Sequence, residues 1–254
     1  MDFDTGPPPR FAEIFGRLPD LSPIRASLWF DWGPIFFRGR LDGSARLVCI
    51  ASDPGATERI AGRTLVGDAG QRVQGFLRKV GLSRSYLCLN AFPYAVFPSH
   101  ARQAASLLAL PSFQAWRNEL FDAAAEDVSA IVVFGAVARA AVAQWPGAAG
   151  RHVISVPHPT SRDTAALTTA WRAAVTDLRA RVDPDPGTSR GRNYGATFRA
   201  SDYAPIPRRD LPFGVPAFLG DDAWARDGHP PRRTTVRRPN PDDRHTLIWI
   251  APPG

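Results

Sequence analysis

The 254-residue sequence has one lysine, one methionine, two cysteines and no stretch of about 18 apolar residues. Two cysteines cannot build a disulfide framework or a four-thiolate metal site. Cys49 and Cys88 both lie in apolar runs without a Cys-x-x-Cys neighbour, so they read as small buried hydrophobes. The missing apolar run excludes a membrane-spanning helix. Residues 1–10 are acidic and Pro-rich rather than basic and then apolar, so no signal peptide is expected and the chain reads as cytoplasmic. Neither G-x-G-x-x-G nor the G-K-[ST] ending of a phosphate loop occurs, so the Gly-rich segment 62–70 is a poor nucleotide-binding signal. This disfavours an unrelated nucleotide-binding α/β protein. There are no internal repeats.

The 44% hydrophobic content fits a soluble globular chain rather than a disordered one. The net charge of +7 suits a polyanionic partner through long-range attraction, without naming it. Lys79 is the sole lysine, so 30 of the 31 basic residues are arginine, a planar group able to hold phosphate bidentately. Codon bias in a GC-rich genome explains that excess by itself.

Apolar runs at 47–50, 86–89, 130–134 and 152–156 read as strands buried on both faces. Helical spacing separates them. Val73, Phe76, Leu77 and Val80 share a face, with Gly81 as the stop. Pro111 opens a helix through Phe113, Trp116 and Leu120, and Gly135 opens an Ala-rich one that ends before Pro146. Leu167, Trp171, Val175, Leu178 and Val182 mark a closing helix. Lys79 falls on a helix face expected to be solvated. Strands alternating with helices predict an α/β fold of three α/β/α layers around a parallel sheet.

Residues 1–45 are expected to form a cover segment, including a short hairpin or irregular stretch over 29–43, and 46–182 the α/β domain. Residues 183–254, rich in Pro and Arg, are expected to be an irregular extension that wraps it. Within the extension, 187–192 and 228–243 are expected to be disordered. Phe213, Val215, Phe218, Leu219 and Trp224 are expected to cluster, and 247–250 to form a strand.

The ends of three strands carry the chemistry. Asp53-Pro54-Gly55 follows the first, Asn90 ends the second, and His158-Pro159-Thr160 follows the fourth. In open α/β sheets ligands bind beyond the carboxyl ends of the strands. These segments, together with Glu58, the 62–70 stretch, 81–84 and 134–138, resemble in order and spacing the uracil-DNA glycosylase superfamily over about residues 46–182. The resemblance implies a four-stranded parallel sheet and a base-flipping enzyme that removes uracil from DNA.

It further implies that Asp53 positions and activates water and stabilises oxocarbenium-like charge, and that His158 donates to uracil O2 as the base departs. Asn90 would accept from uracil N3–H and donate to O4, a pattern that cytosine reverses. Ser52 is expected to contact the base through its backbone, and Leu65 stands where relatives have a stacking Phe. Phe92 or Tyr94 is then a candidate for the aromatic face. Gly55 stands where the G-Q-D-P-Y enzymes have a Tyr that excludes thymine, and it is placed against the DNA with Thr160, Ser161 and Arg162. Arg162 occupies the position of the wedge that fills the gap left by the flipped base.

Many relatives with the P-G-x-x-E segment carry four cysteines for an iron-sulfur cluster; two cannot supply it. The expectation is a monomeric, monofunctional enzyme with no metal or other cofactor, acting on uracil in single- or double-stranded DNA, with no membrane partner. No lysine is placed as a lyase nucleophile. Alternatives are a glycosylase for another damaged base, or a protein that binds uracil or abasic DNA without turnover.

Overall fold

The computed structural model describes residues 3–30 and 33–214, and the backbone of one further strand pair, β8 (Val236–Arg237) with β9 (Ile248–Trp249). In chain order, α1 (Pro9–Gly16), β1 (Leu28–Trp29), β2 (Phe37–Gly39) and β3 (Leu47–Ala51) lead into α2 (Ala56–Ala61) and α3 (Asp68–Val80). Then come β4 (Tyr86–Asn90), β5 (Ala95–Val96), α4 (Ala104–Leu107), α5 (Pro111–Ala124), β6 (Ala130–Phe134), α6 (Gly135–Ala143), β7 (Val153–Val156) and α7 (Thr164–Arg181).

The main sheet runs β2-β4-β3-β6-β7. The four inner-sequence strands β4, β3, β6 and β7 are parallel, as the apolar runs predict. The sheet has a fifth strand that the sequence reading lacks. Phe37–Gly39 pairs antiparallel with β4, so part of the expected cover segment is a sheet edge. Nor is 29–43 a hairpin: β1 pairs with β5 in a separate two-stranded ribbon.

Alternating strand residues face two cores. Val48, Ile50, Leu89, Ile131 and Val133 pack under α1, α5 and α6 against Phe113, Trp116 and Phe121. Leu47, Cys49, Cys88, Val132 and Phe134 pack under α3 and α7 against Phe76, Leu77 and Trp171. β3, β4 and β6 are buried along their whole length, which explains why they read as continuous apolar runs, whereas β7, at the sheet edge, is only partly buried and leaves Ser155 exposed, contrary to the expectation for 152–156. Gly81, at φ 107, ends α3 in the left-handed conformation expected of its stop signal. Cys49 and Cys88 are opposite one another across β3 and β4, buried and unbridged.

The extension is anchored through residue 214. Asp185 accepts from the backbone N–H groups of Ser83, Arg84 and Ser85, and Asp210 pairs with the fully buried Arg38 at 2.9 Å. Two expectations fail here. Lys79 is buried, its ammonium 2.7 Å from Asp202 and lying over the Tyr194 ring, because the extension covers its helix face. Residues 187–192 are tied down: Gly191 N donates to Arg78 O, and Arg192 O accepts from Lys79. Of the expected apolar cluster, Phe213 is 84% exposed and touches Phe3 edge-on. The other members of that cluster, and most of 228–243, lie outside the described residues. Among the described residues no helix is long and apolar enough to cross a membrane.

Candidate active site

The register brings Ala51 beside Asn90 and Phe134 beside Val156, so the loops after β3, β4, β6 and β7 leave from one edge. With strands about 4.8 Å apart, Asn90 and the His158 loop leave that edge within about 14 Å of each other. Pairing continues past the strand ends, with Ala91 N donating to Ala51 O and Phe92 N to Ser52 O. This ties the Asp53 loop to the segment after Asn90.

Asp53 is half-buried and held by two donors. Ser52 Oγ–H donates to Oδ1 at 2.6 Å, and Val96 N–H, on β5, to Oδ2 at 2.9 Å. Ser52 thus acts through its hydroxyl, beyond the backbone role expected of it. Burial pushes the Asp53 carboxyl above its ordinary range, with Glu58 adding to the effect, against the opposing pull of both hydrogen bonds and Arg59. A carboxylate destabilised in this way beside a sheet edge is suited to proton transfer or to stabilising positive charge.

Asn90 is 6% exposed, and neither its Oδ1 nor its Nδ2 has a partner among the described residues. Leaving a buried amide unmet costs about 1–3 kcal/mol. Strand ends do not need that residue, and an apolar side chain would fit the run better.

His158 follows β7. Its Nδ1 accepts from Thr160 N–H at 3.3 Å and lies 2.9 Å from Thr160 Oγ1, which leaves the proton on Nε2. Burial, then the positive charge of Arg72, pushes the imidazole below its ordinary range, which favours its neutral form. Gly135, at φ +89, makes this possible: a Cβ there would sit 3.0 Å from His158 Cβ. Gly135, Ala136 and Arg139 of α6 face the His158 loop across a cleft of about 440 Å³. Ser161 N–H closes the loop by donating to His158 O, Thr160 and Arg162 are exposed, and Ser161 is half-buried. Thr160 and Ser161 line that cleft.

One assignment is corrected. Phe92 is fully buried, its ring stacked on Phe113 at 5.6 Å, because it faces the α5 core rather than the edge. Phe92 therefore presents no face to a base. Leu65 is 5% exposed within the α3 core, with its backbone left-handed at φ 52. Gly55 is exposed at the start of α2, where a Cβ would come within 2.7 Å of Glu58 Oε2.

Glu58 is a positioning residue that the sequence reading quoted without a role. Its buried Oε1 accepts from Val66 N–H and Gly67 N–H, pinning the 62–67 loop to the Asp53 helix. The spacing of P-G-x-x-E carried that signal. The aromatic rim was hidden. Phe30 and Tyr94 lie 4.3 Å apart and Trp29 stacks with Phe97, all partly exposed on or beside the β1–β5 ribbon that holds Asp53. Arg59 covers the Trp29 ring at 3.7 Å.

Among the described residues no three His, Cys, Asp or Glu are grouped to hold a metal. An iron-sulfur cluster does not fit this chain: its two cysteines are buried in mid-strand, away from the edge.

The sequence profile described as "Uracil DNA glycosylase superfamily" matches residues 39–179, more than half of the chain. No curated protein matches. A crystal structure of a point mutant of UNG from Nitratifractor salsuginis aligns at 16% identity with a TM-score of 0.33, covering 56% of this chain and 76% of that one.

Proposed function

Since the chain belongs to the uracil-DNA glycosylase superfamily, whose members are DNA glycosylases, we propose that its substrate is uracil in DNA and that it releases the base by hydrolysis, leaving an abasic site. The observation that carries this reading is the dry, unpartnered amide of Asn90 at the ligand-binding edge. Its oxygen accepts from uracil N3–H and its NH₂ donates to O4. Cytosine would set donor against donor and acceptor against acceptor, a mismatch worth several orders of magnitude when buried.

The remaining groups fit the chemistry. As the C1′–N1 bond breaks, its electron pair moves onto the base, and His158 Nε2–H donates to the developing charge on O2. Asp53, ionised, faces the positive sugar and takes the proton of the water whose oxygen bonds to C1′. Preorganised donors of this kind are worth roughly 100- to 1,000-fold each. Tyr94 and Phe30, at the rim beside Asp53, offer the aromatic surface that Leu65 does not. Thr160, Ser161 and Arg162 meet the flanking phosphates and the gap in the stack.

The test is base release from end-labelled DNA carrying a single U, with a matched T strand, for the wild type and for Asp53→Asn and His158→Ala. Alkali-labile sites at U alone, slowed at least about 100-fold in both variants, are expected. Tight U-DNA binding with no release by the wild type would overturn hydrolysis and leave recognition without turnover. Release of another base in preference to U would overturn the specificity.

A further inference from the structure

The loop that carries His158 is held by its two neighbouring carbonyls. Trp171 Nε1–H, on α7, donates to Pro157 O at 3.0 Å, and Arg72 Nη1–H, on α3, donates to Pro159 O at 2.8 Å. One holder sits on each side of the imidazole. Both are backed by the chain beyond residue 182. The Arg72 guanidinium lies 5.0 Å from the Phe198 ring and 5.2 Å from the Tyr203 ring, and it pairs with Asp68 at 3.2 Å. The Trp171 indole meets Tyr194 and Phe198 edge-on at 5.8 and 6.4 Å. Phe198 therefore touches both holders.

We propose that the extension, through Phe198 and Tyr203, is a positioning element for the His158 loop, acting through Arg72 and Trp171. This rests on the reading of His158 as the donor to the departing base. The extension is seated firmly enough to do so. Gly75 lets the Asp202 carbonyl approach α3 so closely that a Cβ would lie 1.8 Å from its oxygen, Ala204 N–H donates to Gln71 O, and Asp202 pairs with Lys79.

Arg72 does electrostatic as well as mechanical work. Arg72 from α3, itself paired with Asp68, acts on His158, and Arg139 from α6 lines the same cleft as the imidazole. The Arg72 charge favours a neutral imidazole. A loop that drifts by about 1 Å can cost on the order of 100-fold in rate, so a wrapped segment far from the chemistry can govern it.

The test uses the full chain with Arg72→Met, Arg72→Lys, Phe198→Ala and Gly75→Ala, the last forcing the extension off α3 without deleting any contact group. The readouts are the NMR titration of His158, amide exchange at His158, Thr160 and Ser161, and kcat and KM on U-DNA. All but Arg72→Lys are expected to speed loop exchange about tenfold or more and to lower kcat with KM little changed. Arg72→Met is further expected to raise the His158 pKa, whereas Arg72→Lys keeps it low. Wild-type loop exchange and titration in Arg72→Met and in whichever of Phe198→Ala and Gly75→Ala remains folded would overturn the proposal. Because exchange and titration need no turnover, they test it even if the wild type releases no uracil.

Discussion

Arg38 and Asn90 sit on the same strand pair of the sheet and are equally dry, yet their surroundings differ. Around Arg38 every neighbour answers. Its Nε donates to Thr64 O, its Nη1 to Gln74 and to Asp210, and Asp210 also receives Tyr86 O–H at 2.6 Å and Arg40 at 2.5 Å. At the edge, the Asn90 amide has no partner among the described residues, burial pushes the Asp53 carboxyl up, and His158 Nδ1 accepts from Thr160 N–H. The first cluster ties the extension to the sheet across 172 residues of sequence, and in it each nitrogen of Arg38 and each carboxylate oxygen of Asp210 has a partner within the protein. The second becomes complete only when something brings the opposite pattern of donors and acceptors.

The largest effect expected is in the saturated cluster. Asp210→Ala leaves Arg38 buried and uncompensated, costing about 3–5 kcal/mol, a large share of a typical domain's stability. Denaturant unfolding checks it. The double replacement Arg38→Met with Asp210→Leu sharpens the comparison, because removing both charges should recover most of that loss. A double variant as unstable as Asp210→Ala would mean that the network holds the fold by more than charge compensation.

Next comes the pH profile of the edge. In the proposed role Asp53 acts ionised, and its pKa is raised by burial, so kcat/KM should fall as pH drops through a value above the ordinary 3.8. The sign for stability is opposite: a carboxyl whose folded pKa is raised favours the fold at low pH and loses that contribution as pH rises through the raised value. An acid limb at or below 3.8 would contradict the environment described for Asp53.

Asp185 behaves in the opposite sense. Although burial opposes it, hydrogen bonds from residues 83–85 hold its carboxyl down at about 2. Its contribution to stability is present above about 3.8 and is lost as pH falls toward 2, so Asp185→Asn should flatten the acid-unfolding curve over that window. The smallest effect is on the surface. Arg17 and Glu119 are about half exposed, so Glu119→Gln should change stability by less than about 1 kcal/mol.

The same contrast governs what the sequence made legible. The four parallel strands and the helices from 68, 111, 135 and 164 were readable because five-residue apolar runs and 3.6-residue periods persist long enough to be seen. The edge residues were readable because Asp53, Asn90 and His158 each interrupt an apolar run at its end. Phe37–Gly39 was not, since three residues show no period and Arg38 is a charge in a core position. The burial of Lys79 and the seating of 183–214 were hidden for a related reason. That segment has only short 3₁₀ turns, and its contacts are ion pairs and ring edges between residues distant in sequence. Phe92 turns into the α5 core because position in a motif does not say which way a side chain points. Asn90, by contrast, needed the structure only to show that its amide is unmet.

The central claim is that Asn90 is kept for a ligand and not for the fold. Single-turnover uracil release and thermal unfolding of Asn90→Ala, measured against the wild type, test it together. The account predicts a rate at least about 100-fold lower with a Tm unchanged or raised, because an unmet buried amide has been removed. A Tm several degrees lower with uracil release intact would show that the amide serves the fold, and would contradict the account.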